Sequence, residues 1–181
     1  GMVMPGVTKE PRYVVQKGTG ATLDFAAVMA QAARIFKKFE KQLPGLTDSC
    51  QSAAFKAWQW ALQHPSLAYN QNAMNQTHKP VISTGGYGDR NFKDEWLWAA
   101  AELYLTTKNE KFYDTVAVRI SDSLTLPTWN NMAMLAYYSC LRLRKQIPSS
   151  HKADLETIKQ KVITIADDYL RSLPSNAFYT V

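Results

Sequence analysis

The chain has 181 residues, 46% of them hydrophobic, which is enough apolar material for one sizeable core and predicts a single domain or part of a larger one. No run of about 18 or more apolar residues occurs, so the sequence predicts a soluble chain without a membrane span. The net charge of +6 is spread over amphipathic segments, which argues against nucleic acid as a partner.

Apolar residues at helical spacing predict two helices in the first third of the chain. The first spans roughly residues 23–41, and the second carries a stripe of small apolar residues from Cys50 to Ala61. An extended lead-in is expected over residues 1–19, and helices are expected to fill residues 20–175. The sequence therefore predicts one α-helical domain, or a helical fragment of a larger domain.

A long polar stretch follows at residues 66–88 and is predicted to be a binding loop, because connections of this length in compact domains are often functional. The next helix is predicted from Asp94 to Thr107. Its first turn is acidic, and acidic side chains are favoured at the positive end of the helix dipole.

Three more helices are predicted in the rest of the chain. A short one covers residues 110–120, and a longer one begins after Thr128, which is predicted to be its N-cap. The last has a clean period of 3.6 residues from Leu155 to Tyr169. The predicted fold is all-α, with six helices arranged as successive antiparallel hairpins.

The two cysteines, Cys50 and Cys140, both lie in predicted helices and lack the spacing of a metal or redox motif. Buried free thiols are the favoured interpretation. A disulfide between the two cysteines is the alternative.

The stretch YGDRNFKDEWLWAAAELYLTTKNEKFYD, residues 87–114, resembles the family 9 glycoside hydrolases, which are inverting endoglucanases and related β-glucanases built on an (α/α)6 barrel. The upstream PRYVVQKGTGATLDFAAVMAQAARIFKKF and the downstream LPTWNNMAMLAYYSCLRL are similar to barrel segments of that family, so the resemblance covers nearly all of residues 2–175. It implies an incomplete barrel in this chain. For the full-length enzyme it implies a β-glucan or cellulose-type polysaccharide as substrate and a periplasmic or secreted location.

The resemblance assigns catalysis to no residue of this chain. An inverting glycosidase needs two carboxyl groups about 6.5–9.5 Å apart, one as acid and one as base. The family's aspartate motif of the DAGDYG type and its C-terminal glutamate do not occur in these residues. Asp89 with Asp94 or Glu95 could imitate such a pair by residue type, but their positions do not match the family's catalytic residues. The chain alone is therefore expected to be inactive.

The same resemblance implies a structural calcium site at the start of the predicted helix near Asp94, and no cofactor is otherwise required. Calcium takes six to eight oxygen ligands, which glycine-rich turns and carboxylates supply. The implied ligands are Thr84, Gly85 or its neighbour Gly86, Asp94, Glu95 and Asn130. The family has an aspartate where this chain has Asn130, so weak binding is expected. The alternative interpretation is that Asp94 and Glu95 only cap the helix.

Tyr87 and Trp129 lie where the cleft loops of this family are found, and the resemblance makes them candidate platforms for a sugar ring. Two hypotheses for function follow. The chain is part of a family 9 endo-β-glucanase, or it is a non-catalytic helical module that binds carbohydrate or a protein partner. In either case, the open face of an incomplete barrel is expected to drive self-association.

Overall fold

The computed structural model describes residues 5–7, 9, 11, 13–86 and 88–175 of the chain. This described part is helical, and its one β-type pairing is an isolated bridge between Thr128 and Asn131. The all-α prediction is therefore confirmed. The α-helices of the described part are α1 (Thr19–Phe36), α2 (Leu46–Gln63), α3 (Gln71–Thr77), α4 (Lys93–Thr107), α5 (Glu110–Ala117), α6 (Ala133–Arg142) and α7 (Lys152–Ser172).

The long helices pack as hairpins, α1 with α2, α4 with α5, and α6 with α7. The inner helices of the three hairpins, α1, α4 and α6, form a row in which α4 contacts both neighbours. At one end of this row the backbone N–H of Met132 donates to Asp94 Oδ2 at 2.6 Å. At the other end Thr106 Oγ1 donates to the carbonyl of Ala30 at 2.9 Å. The three inner helices therefore run parallel.

Helix α4 lies at the centre of the core, with 10 of its 15 residues buried. Its alanines at 99–101 are fully buried, as are Ala26, Ala27 and Ala30 of α1. Such small side chains let two helix backbones approach closely. On the outer side, Trp58 of α2 packs edge-on against Trp96, with ring centroids 4.8 Å apart. The inner row and the outer helices thus share one apolar core.

Some predicted boundaries were wrong for local reasons. Helix α6 begins at Ala133 instead of following Thr128, because Thr128 pairs with Asn131 in a tight turn. The predicted binding loop contains α3, whose N-cap Asn70 accepts a hydrogen bond from the backbone of Ala73 at 3.1 Å. Helix α1 ends at Phe36 and continues as a short 3-10 turn.

The lead-in has a 3-10 turn at Pro5–Val7, and residues 13–18 have no regular secondary structure. Cys50 and Cys140 are buried and free, which confirms the interpretation as thiols. No helix in the described part of the chain combines the length and the apolar character needed to cross a membrane.

Candidate functional site

The starts of α1, α4 and α6 lie together at one end of the inner row, which we call the N-terminal face. Gly20 at the start of α1 is so close to α4 that a Cβ atom there would lie 3.1 Å from Glu95 Oε1. The connections that meet this face are long, residues 64–92 and 118–132, whereas α4 and α5 are joined at the opposite end by two residues only. Long loops on a rigid helical scaffold are where binding residues concentrate.

Four carboxylates gather at the N-terminal face and are called the acidic cluster here: Asp24, Asp89, Asp94 and Glu95. Asp94 and Glu95 occupy the first turn of α4, and both are buried. One oxygen each of Asp24, Asp89 and Glu95 is buried and has no hydrogen-bond partner in the described part of the protein. Buried polar atoms are normally paired, so these three oxygens mark a place where a cation or a donor would be stabilised.

Burial and mutual repulsion change the protonation of this cluster. Desolvation, with a contribution from the charge of Asp94, raises the pKa of Glu95 to about 8. Desolvation and the charges of Asp94 and Asp89 raise the pKa of Asp24 to about 6. In the absence of a counter-ion the Glu95 carboxyl is therefore mostly protonated at neutral pH.

The structure brings together two of the predicted calcium ligands, Asp94 and Glu95, and adds Asp24, which was not among the predicted ligands. The other predicted ligands are exposed. The carbonyl of Thr84 accepts from Gln71 Nε2 at 2.6 Å, and Asn130 Oδ1 accepts from Thr128 Oγ1 at 2.7 Å. The signal for Asp24 was a lone acidic residue inside the apolar stripe of α1.

The acidic cluster offers the negative charge and the unpartnered oxygens that a cation needs. Its side chains, however, do not converge on one point. Within the described residues, no group of three or more His, Cys, Asp or Glu side chains is arranged to hold a metal ion. The alternative of simple helix capping also needs revision. Asp94 Oδ2 accepts from the backbone of Met132 in the next hairpin, so this carboxylate joins two hairpins.

Trp129, a predicted sugar platform, lies at the tip of a tight turn on the connection 118–132. The turn is closed by two backbone hydrogen bonds between Thr128 and Asn131, of 3.1 and 3.2 Å. Trp129 is 61% exposed. The turn therefore presents an indole ring at the surface beside the start of α6. The second predicted platform, Tyr87, lies outside the described residues.

A row of parallel inner helices, each paired with an antiparallel outer helix, is the architecture of part of an (α/α)6 barrel. The family described as glycosyl hydrolase family 9 matches residues 4–180, and the chain belongs to this family. The resemblance noted in the sequence is therefore confirmed.

Similar proteins agree in fold and in family. The chain is 37% identical to the xyloglucan-specific endo-beta-1,4-glucanase BoGH9A of Bacteroides ovatus, over 99% of this chain and 30% of that protein. It is 27% identical to endoglucanase D of Acetivibrio thermocellus, over 98% of this chain and 27% of the relative.

A solved structure of a Bacteroides ovatus family 9 protein superposes with a TM-score of 0.91 at 37% identity, covering 99% of this chain and 33% of that one. The chain thus spans about a third or less of the proteins that it matches.

Proposed function

We propose that these residues form part of the catalytic domain of a family 9 endo-β-1,4-glucanase, with xyloglucan as the first candidate substrate. The observation that carries the proposal is the superposition with a Bacteroides ovatus family 9 structure over 99% of the chain. A relative from that organism, 37% identical, is named as specific for xyloglucan. Another relative in this glycosyl hydrolase family is named an endoglucanase, which supports a glucan polysaccharide as the substrate class.

In this proposal the segment builds one wall of the substrate cleft and does not supply the reacting groups. Trp129 stacks on a sugar ring, since an exposed indole offers a flat apolar face. Asp94 and Glu95 are only 8% and 4% exposed, so a polymer chain would be largely shielded from them. The general acid and the general base of the inverting reaction then come from other parts of the domain.

We also propose that calcium binds at the acidic cluster and stabilises the packing of α1 against α4. Support comes from the unpartnered oxygens of Asp24, Asp89 and Glu95, since carboxylate oxygens are the ligands that calcium prefers. A bound cation would favour the ionised form of Glu95, whose pKa is raised in its absence. Binding requires these side chains to rotate toward a common point.

The outward side of α1 carries exposed apolar residues. Phe25, Val28 and Ile35 share this side and are 49%, 45% and 49% exposed. Helix α7 is similarly exposed, because Ile158 is the one residue of this helix that is fully buried within the described part. Exposed apolar stripes of this kind favour association, so we propose that the isolated chain self-associates through these helix faces.

A chimera tests the proposed enzyme function. The segment of the Bacteroides ovatus relative that aligns with this chain is replaced by this chain, and reducing ends released from xyloglucan, carboxymethylcellulose and lichenan are measured. We expect hydrolysis of xyloglucan, reduced when the chimera also carries Trp129→Ala and unchanged with Gln59→Ala on the exposed side of α2. A chimera that is folded by circular dichroism but inactive on all three glucans contradicts the proposal.

A further inference from the structure

A polar cavity of about 320 Å³ lies at the N-terminal face, beside the cleft wall proposed above. It is an open cavity lined by the start of α4, the connection 118–132 and the start of α6. Its volume is at the lower end of the roughly 300–1,000 Å³ that small-ligand pockets occupy, which leaves room for a short ligand but not for a polymer chain. Among the polar side chains that line it are Asn91, Lys93, Asp94, Arg119, Asp122 and Asn131.

The charges around this cavity balance. Lys93 and Arg119 are cationic, while Asp94 and Asp122 are anionic. An anion such as phosphate would meet the two carboxylates, and a divalent cation would meet the two basic groups. A neutral ligand that carries both donors and acceptors can use all four, together with the amides of the two asparagines. Sugar hydroxyl groups have this property.

Arg119 retains an unused donor at this site. Its Nη1 lies 3.5 Å from Asp122 Oδ2, and its backbone carbonyl accepts from Tyr137 OH at 3.1 Å. Its Nε is buried and has no hydrogen-bond partner among the described residues. A buried donor without an acceptor is costly, so a rotation of the Arg119 side chain that turns Nε toward a ligand oxygen in the cavity would be stabilised.

The position of the cavity connects it to the proposed cleft. Asn131 lines the cavity and also closes the turn that carries Trp129. A glucan backbone that lies over Trp129 would therefore bring a substituent on a neighbouring sugar to the mouth of the cavity. A linear glucan has no substituent to place there.

We propose that this cavity binds a single neutral sugar that branches from the β-glucan backbone, and that it thereby favours branched over linear glucan. This inference rests on the proposed function, because the backbone must lie along the same face. Asn91 and Arg119 are the residues that contact the branch.

Two probes with the same backbone length test the inference: a xyloglucan heptasaccharide, which carries xylose branches on a cellotetraose backbone, and cellotetraose itself. Their dissociation constants for the chain are measured by calorimetry or NMR titration. We expect the branched probe to bind at least about fivefold more tightly, a ratio that one or two additional hydrogen bonds provide.

Two cavity variants and one control sharpen the measurement. Asn91→Ala and Arg119→Lys, which keeps the charge but removes the Nε donor, should bring the ratio of the two constants close to one without changing the affinity for cellotetraose. Gln59→Ala, on the exposed side of α2, should leave both constants unchanged.

Equal binding of the two probes to the unmodified chain overturns the cavity inference and leaves the glucanase proposal intact. The same conclusion follows if the cavity variants weaken the binding of both probes to the same degree. If neither probe binds the chain, the inference is wrong, and if the chimera is also inactive, the proposed function is wrong as well.

Discussion

Arg34 of α1 and Glu102 of α4 form an ion pair in which the glutamate side chain is completely buried. Arg34 Nη1 also donates to the carbonyl of Glu102 at 2.7 Å. The Glu102 carboxylate accepts from Trp98 Nε1 at 3.3 Å and from the hydroxyl of Ser139 in α6. One carboxylate therefore links all three inner helices, in the middle of a largely apolar core.

Glu102→Gln is expected to lower the free energy of unfolding by about 3–5 kcal/mol, because it leaves the guanidinium of Arg34 without its counter-charge in a largely buried setting. Urea denaturation followed by circular dichroism measures the change. Glu156→Gln is the control, since it breaks an exposed pair with Lys159 and should cost no more than about 1 kcal/mol. Equal effects of the two substitutions would contradict the assigned role.

The inner helices were predictable where apolar spacing alone decides the structure. The spacing predicts α4 from Asp94 to Thr107, and the observed helix begins one residue earlier, at Lys93. The buried Glu102 was not predicted, because a single acidic residue in an alanine-rich helix has the same local pattern whether it faces solvent or a partner helix. Its environment is created by Arg34 and Ser139, which are distant in the sequence.

The candidate site was predictable in part for the same reason. Asp94 and Glu95 were selected from their position at a helix start, and the fold places them together. Asp24 was missed because it approaches them only when α1 packs parallel to α4. The Thr128 cap was wrong because a backbone pairing with Asn131 competes with helix initiation.

Self-association should be visible in sedimentation velocity as a sedimentation coefficient that rises with concentration in the micromolar range. The exposed apolar side of α1 provides the driving force, and Val28→Lys places a charge in its middle and should shift the distribution toward monomer. Gln59→Lys adds the same charge to the exposed side of α2 and should have no effect. A single monomeric species at all concentrations would exclude association through this face.

The chain alone should release no reducing sugar from carboxymethylcellulose, β-glucan or lichenan. General acid–base catalysis contributes about 10²- to 10⁴-fold to the rate of an enzyme. The carboxylates described here cannot supply it, because they are either buried or at positions that do not match the family's catalytic residues. A reducing-end assay over several hours measures the release. Turnover that survives repeated purification and is lost in Asp89→Asn would show that a member of the acidic cluster is catalytic.

Stability without calcium should fall as the pH rises from 5 to 9. The pKa of Glu95 is about 8 in the folded state and near its ordinary value of 4.5 when unfolded, so the folded state binds this proton more tightly. The resulting stabilisation is complete below the unfolded pKa and is lost as the pH rises through 8. A loss of a few kcal/mol is the expected order of magnitude.

Urea denaturation at pH 5, 7 and 9 in the presence of a chelator measures this dependence. Glu95→Gln cannot ionise, so its stability should change much less between pH 5 and pH 9. Glu156→Gln, on the exposed side of α7, should retain the full dependence. If Glu95→Gln and the unmodified chain lose the same stability, the titration belongs to other groups.

Calcium should raise the melting temperature of the chain, and a chelator should reverse the increase. A ligand that binds only the folded state stabilises it by about 2.7 kcal/mol at a concentration one hundred times its Kd, which a thermal-shift assay detects easily. The acidic side chains must first rotate toward a common point, so millimolar calcium should be needed for the full shift. Asp24→Asn should weaken the response, because its carboxylate is the one that α1 brings to the cluster. Asp48→Asn changes an acidic residue in the first turn of α2; it is the matched control and should respond as the unmodified chain does.

An unchanged melting curve at millimolar calcium, together with destabilisation by Asp94→Ala, would mean that Asp94 serves only to hold the backbone of Met132.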